Sequence, residues 1–135
     1  MRDRVAMDAH ELEELRTAAV EASTRAYCEY SGFRVGAAVR TASKAVYAGC
    51  NIENASYSLT ICAERVAIFR SVAAGERAFS VLLLYTPTPE PRTPCGACRQ
   101  VLAEFGEQIE VVCVCDGPGV LTFTSGELLP AGFSL

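Results

Sequence analysis

Residues 60–65 read TICAER and residues 94–100 read PCGACRQ. Cys62 stands two positions before Glu64, and Cys95 three before Cys98. A helix is expected after each stretch. Val66, Phe69 and Ala73 recur at helical spacing behind Cys62 and the pattern stops at Gly75, a natural C-terminal cap. A second helix is expected from near Cys95 to Gly106. Cysteines at i and i+3 share one face of a turn, so both sulfurs can meet one ion. Two helix starts then bring three thiols together, and the positive ends of the helix dipoles favour the thiolate that binds zinc. Three protein ligands leave one tetrahedral position open, as in catalytic zinc sites. Glu64 is placed to move protons there without being a ligand.

Working outward, Leu12, Leu15, Ala19, Ala22 and Ala26 recur at helical spacing and predict an amphipathic helix over about residues 8–28. The sole histidine, His10, falls in its first turn and reads as solvated surface, so a metal site must rely on cysteine or carboxylate. Phe33, Val35, Ala37 and Val39 alternate, and Lys44 to Cys50 can form the partner strand after a turn at Thr41 to Ser43. The polar segment NIENASYSLT then leads to Cys62. FSVLLLYT, from 79 to 86, and the apolar run 109–115 read as strands covered on both faces, with a shorter strand at 120–124. This order predicts a three-layer α/β/α domain around a five-stranded mixed sheet, with residues 1–135 forming a single domain.

Composition narrows the partners. Half of the residues are apolar and 21% are charged, which describes a compact chain. A formal net charge of -4 disfavours a nucleic-acid polymer, which is held mainly by clustered Lys and Arg. No apolar run approaches a membrane span, and the N-terminal MRDRVAMDAHELEEL has acids where a signal peptide would be apolar. The expectation is a cytoplasmic protein with a small, free substrate. In that compartment the seven cysteines read as metal ligands or buried small hydrophobes. Cys113 and Cys115 share a strand face and read as core filling, as do Cys28 and Cys50. A closed four-cysteine zinc knot completed by Cys50 or Cys28 competes with the open site. A redox CxxC competes too, but leaves Cys62 and Glu64 without roles.

A Cys-x-Glu followed by Pro-Cys-x-x-Cys is the all-cysteine form of a signature of zinc-dependent deaminases. The blocks YSGFRVGAAV, GCNIENASYSLTICAER, PCGACRQVLAEF and ELLPAGF extend the likeness along nearly the whole chain. In that order they resemble the small, homotetrameric cytidine deaminases of nucleoside salvage. The resemblance implies one Zn²⁺ per subunit on Cys62, Cys95 and Cys98, with Glu64 as catalytic proton shuttle. It also implies Phe33, Asn51, Glu53 and Ala63 around a nucleoside, with Phe133 closing a neighbouring subunit's pocket. The implied reaction turns cytidine or deoxycytidine and water into the uracil nucleoside and ammonia, in pyrimidine salvage. For Asn51 and Glu53 a turn or capping role is the alternative. Two departures are local: TASKAVYAG lacks an Asp-Gly turn, and Cys28-Glu29 replaces a small residue and proline before YSGF.

Three thiolates outweigh Zn²⁺ by one charge, so a nearby cation is expected to offset them. Arg65 and Arg99, each adjacent to a motif residue, are the candidates.

Overall fold

The computed structural model describes residues 7–135; the first six residues, which carry part of the leader argument, lie outside the described residues. Helix α1 spans Ala9–Ser23 and starts where the Asp8 carboxylate accepts the Glu11 N–H at 2.8 Å, satisfying one donor of the open first turn. Leu15, Ala19 and Ala22 are its buried face, and His10 is exposed.

The helix stops five residues short of the predicted 28. Tertiary pairing overrides the helical pattern there: Tyr27 N–H donates to the Asn51 carbonyl, and Glu53 N–H to the Tyr27 carbonyl, forming an isolated parallel bridge between Tyr27 and Ile52. The Arg34 guanidinium takes up the carbonyls of Thr24 and Ala26. Ala26 is buried all the same, outside the helix.

The strands are β1 (Gly36–Thr41), β2 (Val46–Cys50), β3 (Phe79–Tyr85), β4 (Glu110–Val114) and β5 (Leu121–Thr124). They form one mixed sheet in the order β2-β1-β3-β4-β5, with only β3 and β4 parallel. The β1–β2 turn places Lys44 in the left-handed region at φ 75°, so β2 begins at Val46 rather than at Lys44. Phe33 lies ahead of β1 and is exposed, whereas Val35, Ala37 and Val39 share the inward face.

Helix α2 spans Ala63–Ala73 and α3 spans Gly96–Ala103, ending one turn before Gly106. Both pack on the sheet face that carries Ala37, Val39, Leu82, Leu84, Val111 and Cys113, while α1 covers the face of Ala38, Val81, Leu83 and Val112. The inner strands β1, β3 and β4 therefore bury both faces, which explains the unbroken apolar runs at 79–86 and 109–115, while the edge strands β2 and β5 stay partly exposed.

The buried residues of α2 are Ala63, Glu64, Ala67, Ile68 and Ser71, while on the stripe read from the sequence Val66 is half-buried and Phe69 is 47% exposed. Small residues face the sheet because the helix presses close: a Cβ on Gly49 of β2 would lie 2.5 Å from the Ala67 nitrogen and 2.7 Å from the Ala63 carbonyl oxygen. On the C-terminal segment Leu128 is buried in the core cluster and Phe133 is exposed.

Candidate active site and metal centre

Cys62 is the N-cap of α2 and Cys95 the N-cap of α3, both with extended backbone. Their carbonyls accept the first helical hydrogen bonds, from Val66 and Arg99, but neither side chain caps its own helix. The sulfurs are left to meet each other. Cys62 Sγ lies 3.8 Å from Cys95 Sγ, and Cys95 Sγ 3.5 Å from Cys98 Sγ, with all three within 4.8 Å of one another. Zn–S bonds of about 2.3 Å in a tetrahedron place sulfurs about 3.8 Å apart, so the donor set fits zinc. Among the described residues no fourth cysteine, histidine or carboxylate joins the cluster, which leaves Cys28 and Cys50 out and removes the closed four-cysteine alternative.

Burial is graded across the cluster: Cys98 is buried, Cys62 half-buried and Cys95 exposed. Cys62 is held down at about 5, chiefly through Cys98, with further hydrogen bonds from Arg65 and Cys95. The Cys98 thiol is pushed up by its interaction with that thiolate and by burial. One thiolate is therefore favoured before any metal arrives, and the metal must displace the remaining thiol protons.

Glu64, at the second position of α2, is 5% exposed. Burial pushes its carboxyl up to about 7, reinforced by the Cys62 charge and opposed mainly by its own backbone N–H. A carboxyl near neutrality can both accept and return a proton, as general acid–base work requires. Behind it lies Cys113, which is fully buried; burial and the Glu64 charge push its thiol up to about 12. Cys113 is thus core filling beneath the site. Cys115 is also fully buried, its sulfur 3.5–3.6 Å from the carbonyls of Pro89, in the loop leading to Cys95, and of Gly117 and Gly119, in the loop after β4, so its one S–H is shared among acceptors that tie the two loops together.

The two arginines part company. Arg65 donates from Nη2 to Cys62 Sγ at 3.4 Å, and the thiolate raises its pKa in return. Its buried Nε has no partner among the described residues. Arg99 spends its nitrogens on the carbonyls of Pro94 and Leu128 and on the Thr93 hydroxyl, so none of these bonds reaches a sulfur. It fastens the loop before α3 to the C-terminal turn.

The remaining residues singled out in the sequence fall in three places. Phe33, Asn51 and Glu53 are joined through the segment 30–35. Asn51 donates to the Phe33 carbonyl at 2.8 Å and accepts the Val35 N–H at 2.9 Å, and Glu53 accepts the N–H groups of Tyr30 and Ser31. The turn-organising role is thus present; Asn51 keeps one N–H and one acceptor site in reserve. Ala63 is fully buried at the first position of α2. Phe133 lies apart on the exposed C-terminal segment, where its carbonyl accepts from Gln100. Sequence reasoning passed over Ser31 and Gly49: a serine in a polar turn and a strand glycine carry no signal until their neighbours are known. No helix among the described residues is long and apolar enough to cross a membrane.

Residues 9–115 match the family model of the cytidine and deoxycytidylate deaminase zinc-binding region. A cytidine deaminase from Sporosarcina psychrophila is 43% identical over 125 residues, covering 92% of each chain. A crystal structure of cytidine deaminase from Burkholderia pseudomallei superposes with a TM-score of 0.88 at 45% identity, covering 94% of this chain and all of that one. A blasticidin-S deaminase from Bacillus cereus is 30% identical over 129 residues, 90% of this chain and 91% of its own. The three-sulfur cluster with a buried glutamate beside it, the five-stranded mixed sheet and these likenesses agree, and the chain belongs to the cytidine and deoxycytidylate deaminase family.

Proposed function

We propose that this enzyme catalyses the zinc-dependent hydrolytic deamination of cytidine and deoxycytidine to uridine and deoxyuridine, with release of ammonia, in pyrimidine salvage. The observation that carries the reading is Glu64, buried and poised near neutrality, one residue past Ala63 in the helix that Cys62 starts. Cys62, Cys95 and Cys98 would hold one zinc per subunit. The ion supplies Lewis acidity that makes water a nucleophile at neutral pH. Glu64 accepts one proton from that water and delivers it to the ring nitrogen, then accepts the second proton from the same oxygen, now on the ring carbon, and delivers it to the departing amine. Two protons taken and two given restore its charge state at the end of the cycle. Arg65 offsets the excess charge of three thiolates through its bond to Cys62. Phe33, Asn51, Glu53 and Ala63 would surround the nucleoside, with the Asn51 amide and the Glu53 carboxylate toward the sugar.

Residues 1–135 would act as one catalytic domain in the cytoplasm, without a nucleic-acid polymer or a membrane as partner. A homotetramer is supported by apolar surface that the chain leaves uncovered. Phe133 is 71% exposed, and a groove lined by Ile52, Leu59, Ile61, Val66 and Phe69 runs beside α2. Phe133 would then close the pocket of a neighbouring copy. Sedimentation giving a stable, active monomer would defeat this part of the reading.

A pocket adapted to an aminopyrimidine antibiotic is a second reading, favoured only by the 30% likeness to the blasticidin-S deaminase against 43% to the cytidine deaminase. The loss of ultraviolet absorbance with cytidine, deoxycytidine, cytosine and blasticidin S in parallel decides between them. Turnover of the two nucleosides, with cytosine and blasticidin S inert, is expected. Remote binding through the sugar contributes to rate at the ring, so cytosine lacks it. Comparable kcat/KM for cytosine and cytidine, or preference for blasticidin S, would overturn the assignment.

A further inference from the structure

Segment 30–35, between the end of α1 and β1, is wired to two of the residues assigned to the sugar. The Glu53 carboxylate accepts the N–H groups of Tyr30 at 3.0 Å and Ser31 at 3.1 Å on one oxygen, and the Ser31 hydroxyl donates to the other. The same Ser31 oxygen accepts the Phe33 N–H at 3.0 Å. Phe33 in turn gives its carbonyl to Asn51. A single hydroxyl therefore sits at the joint between the carboxylate, which it stops from rotating, and the path of the chain to Phe33. The backbone N–H groups alone would hold only one carboxylate oxygen.

These bonds, led by the Ser31 hydroxyl, also keep Glu53 below the usual carboxylate range, so it stands as an acceptor. A cavity of about 370 Å³ opens beside it, lined by Tyr30, Ser31, Glu53, Tyr57 and Thr60. Tyr30 and Tyr57 meet edge to face at 5.9 Å along one side. A carboxylate clamped at a cavity wall can select for hydroxyl groups, because a fixed acceptor loses little freedom on binding.

We propose that Ser31 is a positioning residue for sugar recognition: its hydroxyl fixes the rotation of the Glu53 carboxylate and thereby sets the preference for nucleosides that carry sugar hydroxyls at the 2′ and 3′ positions. This rests on the assignment of Glu53 to the sugar. If Ser31 served only to fold the turn, its loss would lower stability, or would lower activity on every nucleoside alike.

The test compares cytidine with 2′,3′-dideoxycytidine, each as substrate and as competitor, on zinc-loaded wild type, Ser31→Ala, Ser31→Thr and Glu53→Gln. Ser31→Ala is expected to raise KM for cytidine with little change in kcat and to leave the dideoxy compound nearly unaffected. The preference ratio should then fall about tenfold, the scale of one hydrogen bond to a charged group. Ser31→Thr, which keeps the hydroxyl, should recover most of the ratio, and Glu53→Gln should lower it further. If Ser31→Ala weakens both compounds equally, or leaves the ratio unchanged while Glu53→Gln collapses it, the role of Ser31 is refuted and that of Glu53 survives. A ratio unchanged in Glu53→Gln removes the carboxylate from the sugar site, and the inference falls with it.

Discussion

Adding one methyl group at Gly49 should damage the active site from the far side of a helix. The new Cβ would meet the Ala67 nitrogen at 2.5 Å, the Ala63 carbonyl oxygen at 2.7 Å and Val66 Cβ at 3.0 Å, all belonging to α2. The two closest are backbone atoms and cannot rotate away. Restoring an ordinary contact of about 3.4 Å requires the first turns of α2 to lift by about 0.7 to 0.9 Å. That turn carries Cys62 and Glu64, whereas Cys95 and Cys98 belong to α3, which Gly49 does not approach. One sulfur would thus move against the other two, while metal–ligand distances tolerate only about 0.2 Å. Overpacking should cost about 1–3 kcal/mol of stability. A displacement near 1 Å in a catalytic constellation costs about 10²-fold in rate. Steady-state kcat, zinc content and thermal unfolding of Gly49→Ala are to be measured beside Ala38→Val, which overpacks the α1 face of the sheet. The expected outcome is a similar loss of stability in both variants, with kcat and zinc retention falling only in Gly49→Ala. Wild-type kcat in Gly49→Ala, or an equal loss of activity in Ala38→Val, would refute the reasoning.

Glu64→Gln keeps the shape of the buried side chain and removes its proton acceptor, so it should bind zinc, fold normally and lose about 10² to 10⁴-fold in kcat; near-normal turnover by the zinc-loaded variant would take Glu64 out of the mechanism. Arg65→Gln removes the bond to Cys62 and should lower zinc affinity or turnover about 10 to 100-fold, by competition with a chromophoric chelator and by kcat. Arg99→Gln, whose bonds go to Pro94, Leu128 and Thr93, should instead lower thermal stability and leave the pH dependence of kcat unchanged, an expectation refuted by equal effects on zinc in the two variants. Burial and the hydrogen bond to Asp116 raise the Tyr85 phenol to about 12. A raised pKa stabilises the folded state below the ordinary value near 10, and the contribution is lost as pH climbs from about 10 to 12. Urea midpoints should fall less steeply over that window in Tyr85→Phe than in wild type, and parallel curves would show that the phenol contributes nothing.

The element order, the pairing of Cys95 with Cys98 and the two helix starts at Cys62 and Cys95 were legible in the sequence, because each rests on local spacing, whereas the approach of Cys62 to Cys95 across 33 residues is tertiary. Period-3.6 and unbroken apolar runs report a helix or a buried strand without reference to partners, and i, i+3 spacing fixes Cys95 and Cys98 on one turn. Tertiary contacts decided the rest. Ala26 continues the helical period, yet the chain leaves α1 at Ser23 because Tyr27 pairs with Ile52 in an isolated bridge. Phe69 of the α2 stripe is exposed while Ala63, Ala67 and Ile68 are buried, because the helix backbone presses on Gly49 at Ala63 and Ala67, where only small side chains fit. Arg65 and Arg99 occupy similar positions in sequence, and only the path of the loop around Pro94 and Leu128 sends one to sulfur and the other to carbonyls. Periodicity records which residues can be buried, and the energy of a specific contact between distant segments selects which of them are.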